Sequence, residues 1–220
     1  MPTADERKRK ELARLTQLTE YERPFWQNGV YVSGMDEVGR GPLAGPVVTA
    51  CVIMPAEPLI EGINDSKKLS EKKRERLYEQ ILSHAVAYGF GWVWQDTIDR
   101  INILEATKLA FAEAYENMNY PCGDVFVDAV KDLAIPAKQH PLIHGDALCY
   151  SIAAASIIAK VKRDRFMVEQ AKLYPEYGFE KNKGYGTKEH IDALKENGFC
   201  RIHRKTFIKN FSADKAREPF

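Results

Sequence analysis

Apolar residues fall in short, well separated runs. Val47-Val-Thr-Ala-Cys-Val-Ile-Met54 is interrupted only by Thr49 and predicts a strand buried on both faces. Residues 30–36 predict a strand ahead of it, with Gly39-Arg-Gly-Pro-Leu-Ala-Gly-Pro46 as the turn between the two. Residues 85–94 read as a third strand, in which Trp92 and Trp94 alternate about Val93 and so face one side. Asp124-Val-Phe-Val-Asp128 reads as a short buried strand, and 133–137 and 142–144 as two more. The helical period appears over 5–20 (Leu12, Leu15 and Leu18 on one side), 71–84 with Ser70 as N-cap, 100–118 with Asp99 as N-cap, and 146–173. A glycine-containing loop over 178–187 leads to a short helix at 188–197 that Gly198 ends, followed by a basic, irregular tail over 201–220.

Strands come first, then helices alternating with strands, then helices alone. That order predicts an α/β fold: a mixed sheet flanked by helices, with a helical C-terminal extension. It divides the chain into an N-terminal helical extension (1–29), a catalytic domain (30–175) and a C-terminal segment (176–220). With 220 residues, a core needs no disulfides. Cys51, Cys122, Cys149 and Cys200 lie far apart without a CxxC pair, which fits a reducing, cytoplasmic setting and gives no zinc signature. Residues 5–14 are charged and no apolar stretch follows, so neither a secretory signal nor a membrane span is expected. Net charge is +1 but unevenly placed: 160–220 carries 15 basic and 9 acidic residues, net +6, against −5 for the rest. Lys160, Lys162, Arg163, Arg165, Lys181, Lys183, Arg201, Arg204, Lys205 and Lys209 are candidate phosphate contacts; a solvated basic surface is the plainer alternative. The run Ala153-Ala-Ala155 is expected to let its helix pack closely on the sheet.

Candidate chemistry lies in four acids. Asp36 and Glu37 follow a mostly apolar strand, Asp128 ends another, and Asp146 stands at the mouth of the long helix. Each has an ordinary explanation, as a turn residue or a helix cap. Converging at one edge of a sheet, they would repel one another unless a cation intervened. No Lys or Arg sits in the short motifs around Asp128 or Asp146, and oxygen ligands without Cys or His suit Mg²⁺ or Mn²⁺. A pair of such ions clamps the attacking and leaving oxygens of a phosphodiester. The Gly39-Arg40-Gly41 turn lets a ligand approach the backbone, though it is neither a dinucleotide fingerprint nor a Walker A loop.

Taken whole, Met35-Asp-Glu-Val-Gly-Arg-Gly-Pro-Leu-Ala-Gly-Pro-Val47 closely resembles the signature of ribonuclease HII, the bacterial type 2 ribonuclease H. The resemblance continues, in family order, through Asp65-Ser-Lys-Lys-Leu-Ser70, Val127-Asp-Ala129, His144-Gly-Asp-Ala147 with Ser151-Ile-Ala-Ala-Ala-Ser-Ile-Ile-Ala-Lys160, Asn182-Lys-Gly-Tyr-Gly-Thr187 and His203-Arg-Lys-Thr-Phe207. It implies an RNase H-like fold and endonucleolytic cleavage of RNA in RNA–DNA hybrids. It also implies incision 5′ of a single ribonucleotide embedded in duplex DNA, leaving 5′-phosphomonoesters, in repair and primer removal. The implied metal-binding and catalytic acids are Asp36, Glu37, Asp128 and Asp146. From their places in the chain, Asp36 is the candidate for a ligand shared between two ions, Asp146, at a helix mouth, for one nearer the ion that activates water, and Glu37 and Asp128 for ligands nearer the other. Gly39, Arg40 and Gly41 match the family's substrate loop, Tyr185 its ribose-sensing tyrosine, and Lys67 lies in a block near the scissile phosphate. The implied partners are RNA–DNA hybrids and ribonucleotide-containing DNA, bound by a monomer. The family often has glycine after the third acid; Ala129 stands there, with little consequence expected from so small a residue. Residues 1–29 lie outside the shared blocks and receive no role. Two rivals remain, a different RNase H-fold nuclease or strand-transfer enzyme, and a non-catalytic nucleic-acid binder.

Overall fold

A computed structural model describes residues 3–211. Within them, β1 (Ser33–Val38), β2 (Val47–Ile53), β3 (Ala87–Val93), β4 (Asp124–Asp128) and β5 (Lys138–Leu142) form one mixed sheet in the order β3-β2-β1-β4-β5. β2 is antiparallel to β1 and β3, whereas β4 is parallel to β1 and to β5. The helices are α1 (Ala4–Leu18), α2 (Arg23–Gln27), α3 (Glu71–His84), α4 (Gln95–Met118), α5 (Gly145–Leu148), α6 (Tyr150–Leu173), α7 (Phe179–Asn182), α8 (Lys188–Asn197) and α9 (Lys205–Ile208). None is long and apolar enough to cross a membrane.

β2 is buried along its whole length because helices cover both faces. Ala50 and Val52 face α6 together with Leu15, Leu18, Leu77 and Ile81 from α1 and α3. Cys51 and Ile53, one residue out of phase, pack with Phe111, Ala114 and Met118 of α4. Ala153, Ala154 and Ala155 are fully buried, as their size predicts. α6 comes close to the sheet at Gly34, where a β-carbon would stand 2.2 Å from the Ser151 carbonyl carbon. Only glycine lets α6 press on β1 there, two residues before Asp36.

Several elements differ from expectation, each for a tertiary reason. The acids do not follow β1 but lie inside it, since pairing with β2 continues to Val38. The short strands expected at 133–137 and 142–144 are replaced by β5 between them; the Gln139 side chain bonds both the amide and the carbonyl of Leu133 and holds that stretch off the sheet. The helix expected over 146–173 breaks at Cys149, where the buried Glu22 carboxylate accepts from the Ser151 amide (2.7 Å) and Cys149 Sγ (3.3 Å). Glu22 thus satisfies a free amide in the first turn of α6. α4 starts earlier than expected and kinks at Asn102, whose side chain caps Leu104 and Glu105. Asp99 instead caps α9, accepting from the Lys205 (2.7 Å) and Thr206 (3.0 Å) amides. The 178–187 loop contains α7 and the basic tail contains α9; residues 212–220 of that tail lie outside the described residues. Ser70 caps α3 and Gly198 ends α8, as the sequence predicts.

Candidate active site

Strand register assembles the acids. Parallel pairing sets Met35 against Val127, so one residue further on Asp36 and Asp128 stand side by side. β5 pairs Leu142 with Asp128, and the chain then turns into α5, delivering Asp146 to the same edge. The Gly145 amide donates to Asp128 Oδ1 at 2.8 Å, locking the two segments together. A second side brings Lys67, whose Nζ lies 3.8 Å from Asp146 Oδ2, and Asp65, which adjoins Asp146.

The crowding shows in the acidities. Burial, and then repulsion by Glu37 and Asp128, raise Asp36 well above the ordinary carboxylate value, although Ser156 and the Glu37 amide pull the other way. Burial raises Glu37 against the opposing pull of Arg40, 3.3 Å away. Burial, then Asp65 and Asp128, raise Asp146. Around Lys67, partial burial works against the charge, but Asp146, Asp36, Asp65 and Asp128 outweigh it and hold the ammonium. The cation absent from the acids' own motifs therefore arrives from the 65–70 segment. Asp65, from the same motif as Lys67, joins the four acids, and nothing in its local sequence marks it as doing so.

Among the described residues no three His, Cys, Asp or Glu side chains close around a point as a ready-made cation cage. The donor set fits an open site for hard cations instead: all oxygen, mutually repelling, and with Glu37 Oε2 buried without a hydrogen-bond partner. Asp36, Glu37, Asp128 and Asp146 are the residues that would hold such ions.

Beside the acids lies the 39–46 loop. Gly39 has φ +90° and is packed so tightly that a β-carbon would meet Arg163 Nε at 2.3 Å, whereas a β-carbon on Gly41 would meet nothing within 4 Å. The first glycine is thus required by the fold, and the second leaves open space for a ligand. Leu43 N donates to Gly184 O and Gly45 N to Ile202 O, both at 2.8 Å, tying this loop to the Tyr185 loop and the C-terminal segment. Tyr185 is 41% exposed, with Lys160 Nζ and the Arg163 guanidinium each 5.9 Å from its ring centre. Its carbonyl faces His190 Nδ1 at 2.9 Å, so that nitrogen carries the proton. His190 Nε2 then accepts from His203 Nε2 (3.0 Å), while His203 Nδ1 accepts from the Cys200 amide (2.9 Å). Burial, reinforced by His190, pushes His203 down to about 3, and burial lowers His190, so both rings of this relay stay neutral.

Two expectations need correction. The basic residues of α6 are not a free phosphate stripe: Arg163 is fully buried, Arg165 is paired with Glu75 and Glu79, and Lys160 with Asp164; Arg204, just before α9, is fully buried too. Lys162, Lys181, Arg201, Lys205 and Lys209 remain exposed. Ala129 has φ +52°, a left-handed conformation that costs a β-carbon about 1–2 kcal/mol, so its departure from glycine is not neutral.

Comparison with known proteins gives the family. The family model for ribonuclease HII matches residues 33–210. A curated ribonuclease HII from Caldanaerobacter subterraneus subsp. tengcongensis is 51% identical over 201 residues, covering 91% of this chain and 83% of that protein. One from Acetivibrio thermocellus is 52% identical, covering 92% and 79%. The crystal structure of ribonuclease H2 from Pyrococcus horikoshii OT3 superposes with a TM-score of 0.69 at 28% identity, covering 80% of this chain and 93% of that one. With its RNase H-like sheet, its converging acids and these relatives, the chain belongs to the ribonuclease HII family, whose members are ribonuclease H endonucleases acting on RNA–DNA.

Proposed function

We propose that the enzyme cleaves RNA in RNA–DNA hybrids and incises 5′ of single ribonucleotides in duplex DNA, using two Mg²⁺ or Mn²⁺ ions at Asp36, Glu37, Asp128 and Asp146. The observation that carries this reading is the register placing Asp36 beside Asp128, with Asp146 brought to the same edge. Bound there, the cations supply an activated water and relieve charge on the leaving 3′ oxygen. Asp36, the most deeply buried of the four, is positioned to be shared. Lys67, exposed yet held near Asp146, offers its ammonium to the scissile phosphate. The open space at Gly41 and the Arg40 and Gly41 amides admit a 2′-hydroxyl, the one group that separates RNA from DNA. The Tyr185 phenol adds a donor and its ring a stacking face for the neighbouring sugar. In this reading residues 30–175 catalyse, residues 176–220 hold flanking duplex through the exposed lysines and Arg201, and the protein works as a cytoplasmic monomer in ribonucleotide repair and primer removal.

Cleavage mapping on a duplex with one embedded ribonucleotide, in Mg²⁺, Mn²⁺ or EDTA, tests this reading. It expects a single cut 5′ of the ribonucleotide in either metal, none in EDTA, and none on an all-DNA duplex. Cutting of the all-DNA duplex would favour the general nuclease, and no metal-dependent turnover would favour the binder.

A further inference from the structure

Arg163 and Arg204 are fully buried. Among the described residues neither guanidinium forms an ion pair with a carboxylate. A buried unpaired cation costs several kcal/mol, and its retention asks for a reason. Every bond these groups make goes to a main-chain carbonyl. Arg163 donates from Nε to Pro46 O (3.0 Å), from Nη2 to Ala44 O (3.0 Å) and from Nη1 to Lys183 O (2.9 Å). Arg204 donates from Nε and Nη2 to Gly45 O (3.0 and 2.8 Å), from Nη1 to Arg40 O (2.8 Å) and from Nη2 to Gly39 O (2.5 Å). Five of the six carbonyls belong to one loop, and the sixth lies two residues before Tyr185. Carbonyls turned inward leave their neighbouring amides to face elsewhere. Among the described residues, the Arg40 and Gly41 amides have no partner within the chain.

We propose that Arg163 and Arg204 are positioning residues for ribonucleotide recognition: together they fasten the 39–46 loop by its carbonyls, present the Arg40 and Gly41 amides to the 2′-hydroxyl, and seat Tyr185 in register with them. The proposal rests on the ribonucleotide reading above. Arginine is needed rather than lysine because a planar fork satisfies several adjacent carbonyls at fixed angles, whereas an ammonium is a point charge. Arg163 joins the two reading elements, because the same guanidinium binds the 39–46 loop and Lys183 O and lies by the Tyr185 ring.

The test uses Arg163→Lys and Arg204→Lys, which keep the charge and lose the fork. Each is assayed in Mg²⁺ on a duplex with one ribonucleotide and on a long RNA–DNA hybrid. We expect kcat on the single ribonucleotide to fall about 10- to 100-fold with KM little changed, and the hybrid to lose less, because neighbouring riboses help hold the strand. Folded lysine variants that keep the parent's ratio between the two substrates would overturn the proposal. If a variant does not fold, amide exchange decides in the Asp36→Asn protein bound to the ribonucleotide duplex. Exchange at Arg40 and Gly41 should slow on binding, and unchanged exchange there refutes the proposal. A parent unable to cut the single ribonucleotide would instead refute the underlying functional reading.

Discussion

At the edge formed by β1 and β4, Asp36 and Asp146 are buried and Glu37 half-buried, carboxylates that the protein leaves in conflict. Burial and mutual repulsion raise all three, and Glu37 Oε2 has no partner. Behind the neighbouring loop, Arg163 and Arg204 are buried as deeply, and burial pulls them down to about 10 and about 9. Yet their donors are met by six main-chain carbonyls. The buried guanidiniums are satisfied by the chain's own dipoles, whereas the crowded carboxylates stay in mutual repulsion, which bound cations would relieve on the function proposed above. On that reading, satisfied charge holds the site and strained charge works in it, a distinction burial alone does not draw.

The largest break in this contrast comes from Asp36→Asn. Cleavage should fall about a thousandfold or more, equivalent to several kcal/mol of barrier, measured as single-turnover rates in Mg²⁺. Near-parental turnover would remove Asp36 from the metal site.

Next in size is Tyr185, whose ring is exposed while its backbone is fastened. Tyr185→Ala should slow incision at a single ribonucleotide by roughly 10-fold or more, at about 1–3 kcal/mol per lost stacking contact. Tyr185→Phe should lose only the worth of one hydrogen bond, about 0.5–1.5 kcal/mol. Equal rates for parent and Tyr185→Ala would reduce the tyrosine to a loop anchor.

The same acids should cost stability without metal. A carboxyl raised in the folded state contributes stability below its unfolded pKa and loses that contribution as pH rises through the raised folded value. The metal-free Asp36→Asn protein should therefore match the parent near pH 4 and exceed it at pH 7 by on the order of 1 kcal/mol, about 2–4 °C in Tm. Thermal melts in EDTA at the two pH values check this, and a parent more stable than the variant at pH 7 would contradict it.

The smallest effect concerns Ala129. Replacing it with glycine relieves the left-handed strain at φ +52° but adds backbone entropy to the unfolded chain. A net gain of up to about 1 kcal/mol in urea midpoint analysis is expected, and a loss would show that the alanine methyl packs usefully.

Four of the five strands, the main flanking helices and the convergence of the four acids could be read from the chain because their signals are local: apolar runs, caps at Ser70 and Gly198, and an unbroken motif around Asp36. What escaped depends on distant partners. Arg163 looks like an exposed member of a basic helix until Pro46 O, 117 residues away, accepts its Nε. The break at Cys149 needs Glu22, 127 residues upstream. Asp99 looks like a cap for its own helix and instead caps one 106 residues on. Lys67 and Asp65 belong to a visible motif, but nothing in their spacing says they meet Asp146. Short-range pattern carries the elements, and long-range hydrogen bonds decide which polar residues are scaffold and which are site.

Melting the parent and Asp36→Asn at pH 7 with and without Mg²⁺ or Mn²⁺ decides whether the acidic edge is kept in conflict for divalent cations. A clear cation-dependent rise in Tm is expected for the parent and a much smaller one for the variant, because bound ions would hold the crowded carboxylates ionised without their repulsion. Equal rises in the two proteins, or none in the parent at saturating metal, would contradict it.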